Sequence, residues 1–196
     1  MRLNTADRDF FHLINEVGST NPFSTKRLEM EHRITEGKHE TNGEHAVDLV
    51  ILKVLRRIKA LEKAGKANWK SYCEEDSQLV FGVLLFDVYY RFTEDFDHLI
   101  LAQVKAGDKP CQVPFAADVL GLLCSRGFTE EESIRFFAIC YQLRRAFYFI
   151  HHSLIGQSAS MGKLRCDLWN NVFTFDIREY EKLLVCLAEH FNQRGG

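Results

Sequence analysis

The sequence holds no CxxC pair, no GxxxxGK[ST] phosphate loop, no GxSxG and no HExxH. The local signatures of zinc ribbons, P-loop nucleotide sites, serine hydrolases and zinc peptidases are therefore missing. Proline is scarce, three in 196 residues, with two of them inside Gly107–Pro114. Elsewhere little prevents long helices from running unbroken. No apolar run reaches the roughly 18 to 20 residues needed to cross a bilayer, and MRLNTADRDFF has no apolar core of a secretory signal. The expectation is a cytoplasmic protein with reduced thiols and no membrane contact. A net charge of −2 supplies no field to hold a polyanion, so direct nucleic-acid binding is not expected.

What is present is an apolar, aromatic chain with sixteen phenylalanines. Its length suits one domain with a substantial core. The segment from Ile134 to Asp176 is the focus. Between Phe136 and Ile155 the only charges are Arg144 and Arg145, and apolar residues occupy every side of the helical wheel. A helix of that kind is expected to be buried, as the centre of a helical bundle. A guanidinium cannot shed its charge, so an inward-facing arginine needs a carboxylate or a bound anion. Asp87, inside LVFGVLLFDVYYRF, is the expected partner. Arginines at the bundle edge, reaching water past their apolar stems, are the alternative.

Helical spacing recurs along the chain. Thr5 is expected to cap a first helix with Phe10, Leu13, Ile14 and Val17 on its inner face, and Ser24 a second that runs to about Thr35. Gly37–Glu44 reads as a polar loop. His45–Ala64 is amphipathic, and its outer side and following turn carry Lys53, Arg56, Arg57, Lys59, Lys63, Lys66 and Lys70. Three acidic clusters, Glu74–Asp76, Glu94–Asp97 and Glu130–Glu132, could balance that stripe. One long helix is expected from about Glu75 to Lys105, bent near Thr93, then a short one over Phe115–Arg126. Thr129 with Glu132 forms a capping box for the central helix. Further helices are expected over Met161–Val172 and Phe175–Phe191. With no convincing strand, the fold class is all-α, a bundle of seven to eight helices around two nearly all-apolar ones.

Cys124, Cys140 and Cys186 fall in apolar helical patterns and read as buried structural thiols. Glu29-x-x-His32, Glu36-x-x-His39 and Asp95-x-x-His98 have the spacing of helical metal pairs, but Glu36 and His39 lie in or beside the polar loop and Glu29 and His32 on a helix rich in charge, and neither a metal nor another cofactor is expected. His151 and His152 stand about 100° apart on a helix and cannot both face one ligand. Asp87, Arg144, Arg145, Tyr148 and His151, polar groups on otherwise apolar helices, are the candidate ligand-binding residues. The missing catalytic signatures favour a binding or regulatory module over an enzyme.

Read together, NPFS with Arg27, VYYRFTEDFDHLI, VPFAADVLGLLCSRGFTEEE, QLRRAFYFI and SMGKLRCDLWNNVFTFDIREYEKLL resemble one family, over about Phe10 to Phe191. It is the amino-terminal regulatory region of a group of bacterial sigma-54-dependent transcriptional activators. Asn21, Pro22, Phe23, Trp169, Asn170 and Asn171 carry its most specific motifs. The resemblance implies a helical domain that senses a signal, possible in the form of a small molecule, and controls a AAA+ ATPase in cis or in trans. The partners it implies are that ATPase module or a sigma-54 activator, with a homodimer as the expected assembly. Two departures stand out. Phe175 occupies a place where the family is expected to carry histidine, and the phosphate-binding loop and helix-turn-helix of such activators are not in this sequence. A stand-alone helical ligand-binding or protein-interaction module is the alternative, and a metal-dependent helical enzyme the third.

Overall fold

The structure is a computed structural model and describes residues 1–35 and 43–173. The described residues are all-helical, with eight α-helices and no strand: α1 Thr5–Ser19, α2 Thr25–Ile34, α3 Gly43–Lys63, α4 Glu74–Arg91, α5 Thr93–Ala106, α6 Ala116–Ser125, α7 Glu130–Ser153 and α8 Ala159–Val172. The expected helix over 175–191, together with Phe175, Cys186 and the Glu36/His39 pair, lies outside them.

Local chemistry sets the boundaries. Asn4, one residue before the expected cap, accepts from the Asp7 amide at 2.8 Å and opens α1. Ser24 caps α2 as expected. Both halves of the Thr129/Glu132 capping box are formed, at 3.1 and 2.7 Å. α3 begins at Gly43, inside the expected loop. The long helix expected over 75–105 is two helices broken at Phe92. The Thr93 hydroxyl donates to the Tyr89 carbonyl at 3.0 Å, occupying the oxygen that the Thr93 amide would use in a continuous helix.

One hydrophobic core gathers residues from α1 through α7, with α4 at its centre. Leu79, Val80 and the run Val83–Val88 are all buried. α7 departs from expectation. Phe136, Ile139, Cys140 and Ile150 are buried, but Ile134 and Phe149 are exposed among the described residues, so apolar residues on every side did not make it central. Two aromatic clusters account for many of the phenylalanines. Trp69, Phe81, Phe128 and Phe136 meet at centroid distances of 5.2 to 5.8 Å, and Phe96, Phe115 and Phe137 at 5.3 to 5.7 Å. Such pairs add to burial through ring electrostatics.

α1 lies against α4 through a polar clasp. Asn15 Nδ2 donates to the Phe11 carbonyl at 2.7 Å and across the interface to the Leu79 carbonyl at 3.0 Å. The clasp depends on Gly82, since a Cβ there would stand 1.7 Å from Asn15 Oδ1. Gly82→Ala is expected to expel the Asn15 side chain and cost about 1–3 kcal/mol, measurable by urea denaturation. The double variant Asn15→Ala/Gly82→Ala should recover part of that loss.

A second polar joint fixes the first residues of the chain. Asp76, fully buried, accepts from Leu3 N at 2.9 Å and from Arg8 Nε and Nη2 at 2.8 and 3.1 Å. The Arg8 hydrogen bonds hold its carboxyl down at about 2, against the opposing effect of burial. A carboxyl depressed in the folded state stabilises above its unfolded value and loses that contribution as the pH falls through the folded one. Urea midpoints are therefore expected to drop between about pH 4 and pH 2 in part through this group, and Asp76→Asn should flatten that part of the profile.

Candidate ligand-binding cleft

The five candidate ligand residues do not converge. Asp87, 2% exposed, pairs with Arg126 Nη2 at 2.5 Å and Arg91 Nη2 at 2.9 Å, not with either α7 arginine. Arg126, only 1% exposed, also reaches Glu62 at 2.8 Å and the Leu84 carbonyl. Arg144 instead grips Asp97 of α5 through Nε at 2.7 Å and Nη2 at 2.6 Å, with its guanidinium 5.0 Å from the Phe147 ring. Arg145 is exposed and borders a separate shallow hollow with Tyr141 and Cys111. Tyr148 stacks on His152 with centroids 4.1 Å apart, and His151, exposed, stacks on Phe147. Asp87 faces the end of α6, whereas the polar side of α7 faces α5 and the turn before α2. A charge pair depends on how two helices are rotated against each other, and that rotation opposes the expected partners here.

Two other expectations also change. Cys140 is buried, but Cys124 is exposed and contacts the Ser133 hydroxyl at 3.5 Å, because α6 turns Val119 and Leu123 inward instead. Of the basic residues on and after α3, Lys70 pairs with Glu132 at 3.1 Å, while Arg57 faces Asp7 at 3.4 Å and lies over the Phe10 ring at 3.8 Å. Glu29 and His32 are exposed, and among the described residues no three His, Cys, Asp or Glu side chains come near enough to share a metal ion.

The motif residues do come together. Asn21 uses its whole amide: Oδ1 accepts from Phe23 N at 2.9 Å, closing the turn, while Nδ2 donates to the Cys166 carbonyl at 3.0 Å and Asn170 Oδ1 at 2.8 Å. The Cys166 thiol donates back to the Phe23 carbonyl at 2.9 Å. Phe23 stacks on Phe147 at 5.1 Å and meets the edge of Trp169 at 6.0 Å. NPFS, QLRRAFYFI and LWNN, far apart in sequence, thus form one joint. Asn171, one residue on, points elsewhere and bonds its own helix at Asp167. Asn21→Ala is expected to cost about 1–2 kcal/mol and to speed amide exchange in residues 159–172.

Beside this joint lies an open cleft of about 530 Å³. Its floor is α4 and α7, with Phe81, Leu85, Phe86, Tyr89, Ile139 and Leu143. One wall is α1 with the Gly18–Pro22 turn, and the other is Trp169 and Asn170 of α8 with Phe173 beyond it. Arg27 borders it from α2, donating to Glu31 and the Val17 carbonyl and to the Tyr90 hydroxyl at 2.8 Å. Burial pushes the Cys140 thiol up to about 12, so at neutral pH it is a protonated, unreactive part of the lining. Burial likewise raises Tyr89, with Arg144 opposing, and leaves it a neutral hydroxyl. α8 has no buried residue within its span and is held by the Asn21 joint, by α7, and by Arg165 bonds to the Leu154 and Gly156 carbonyls, each at 2.6 Å. Arg27, Asn15 and Gly82 escape sequence reading as cleft residues because their roles depend on the α1–α4 and α1–α2 contacts.

No protein family, curated protein or solved structure matches this chain. Among the described residues no helix is long and apolar enough to cross a membrane.

Proposed function

We propose that this chain is the cytoplasmic, signal-sensing regulatory domain of a sigma-54-dependent transcriptional regulator. It takes a small molecule in the cleft and controls a AAA+ ATPase in cis or in trans. The observation that supports this reading is the joint itself. The three most specific segments of the resemblance meet beside a cleft whose volume is that of a small-molecule site. α8 closes that cleft with no buried residue of its own, so a ligand touching Trp169 and Asn170 adds contacts to the wall that has fewest. A ligand favouring the docked position of α8 shifts its population and alters the face that α8 presents to a partner.

The test is the ATPase rate of a cognate AAA+ module, with the chain attached or added. A change in rate on adding the chain, and a further change with ligand, is the expected result. No binding and no change across a panel of candidate modules would remove the regulatory reading. A stand-alone ligand-binding module is the second reading, favoured by a cleft that α1, α4, α7 and α8 of this chain line together. Self-association as a homodimer belongs to the proposal as well. Leu101 and Val104 of α5, 50% and 62% exposed, with Phe149 of α7, supply apolar surface for it.

A further inference from the structure

We propose that the ligand of this cleft is a neutral aromatic molecule. This rests on the reading of the cleft as a ligand site and adds the chemical class.

The first observation is the aromatic lining: Phe81, Phe86 and Tyr89 from the α4 floor, and Trp169 and Phe173 from the wall formed by α8 and the residue beyond it. A lining this rich in rings favours an aromatic ligand over a branched aliphatic one of equal area, through stacked and edge-on contacts.

The second is charge. Arg27 is the buried cation of the lining, and its guanidinium is already committed to Glu31, the Val17 carbonyl and the Tyr90 hydroxyl. Glu16 is exposed and faces Lys26 at 3.4 Å, and His12 is exposed. Among the described lining residues no buried side chain offers an uncommitted opposite charge, so a charged ligand would leave water at a desolvation cost that a neutral one escapes.

The experiment compares two probes with one ring skeleton on the full chain: neutral N-phenyl-1-naphthylamine, and 8-anilinonaphthalene-1-sulfonate, which adds an anionic sulfonate. Fluorescence titration is expected to show one saturable site for the neutral probe, at least tenfold tighter than for the sulfonate. Leu143→Trp, which fills the floor, should weaken the neutral probe at least tenfold. Trp169→Ala, on the α8 wall, should weaken it too and serves if Leu143→Trp fails to fold. Equal or tighter binding of the sulfonate, or neutral-probe binding indifferent to both substitutions, overturns the proposal. Probe selectivity without any ATPase effect would sink the regulatory reading and leave this one standing, and an ATPase effect without selectivity would do the reverse.

Discussion

Asp87→Leu is expected to destabilise the chain by about 3–5 kcal/mol, because it leaves the Arg126 guanidinium in the core with its closest counter-charge gone. Arg126 is 1% exposed and Asp87 2%, so water cannot replace the lost carboxylate. Glu62, at 2.8 Å, remains as a partner, but it sits at the surface and balances the charge from one side only. The double variant Asp87→Leu/Arg126→Met should regain most of the loss, since removing both charges also removes their desolvation cost. Urea unfolding of the two single variants and the double closes the cycle. Additive losses would show that the pair is not coupled.

Arg27→Met carries the second large effect, about 3 kcal/mol or more. Arg27 ties the end of α1 to α2 and α4 at once, through the Val17 carbonyl, Glu31 and the Tyr90 hydroxyl. Its loss strands Glu31, which is 6% exposed, as a buried carboxylate. Adding Glu31→Leu should restore stability without restoring the Val17 and Tyr90 bonds. The double variant is therefore expected to fold with a loosened cleft margin and weaker binding of the neutral probe. Thermal unfolding reads the first expectation and fluorescence titration the second.

The all-α class was legible because helical spacing is strong in α1 and α3, and because Ser24 and the Thr129/Glu132 box mark helix starts in local chemistry. The break at Phe92 was legible only as a bend, since the Thr93 hydroxyl competes with a backbone amide that the apolar pattern does not register. Residues that bind through their neighbours in space were harder to place. Arg144 and Arg145 were recognised as charges in need of a carboxylate and Asp87 was named for them, yet Asp87 pairs with Arg126 at the end of α6, and Arg144 with Asp97 of α5, because that choice depends on how the helices are rotated against each other. The motif residues Asn21, Phe23, Trp169 and Asn170 were visible as a pattern, and their meeting was not, because 145 residues separate Asn21 from Cys166. The cleft beside them is a property of where α8 settles.

Amide hydrogen exchange with and without saturating N-phenyl-1-naphthylamine reads whether α8 responds to a ligand in this cleft. Slowed exchange in both residues 159–172 and the 18–24 turn, with α6 unchanged, is the predicted result. Exchange in 159–172 that stays the same while the probe is bound would contradict it.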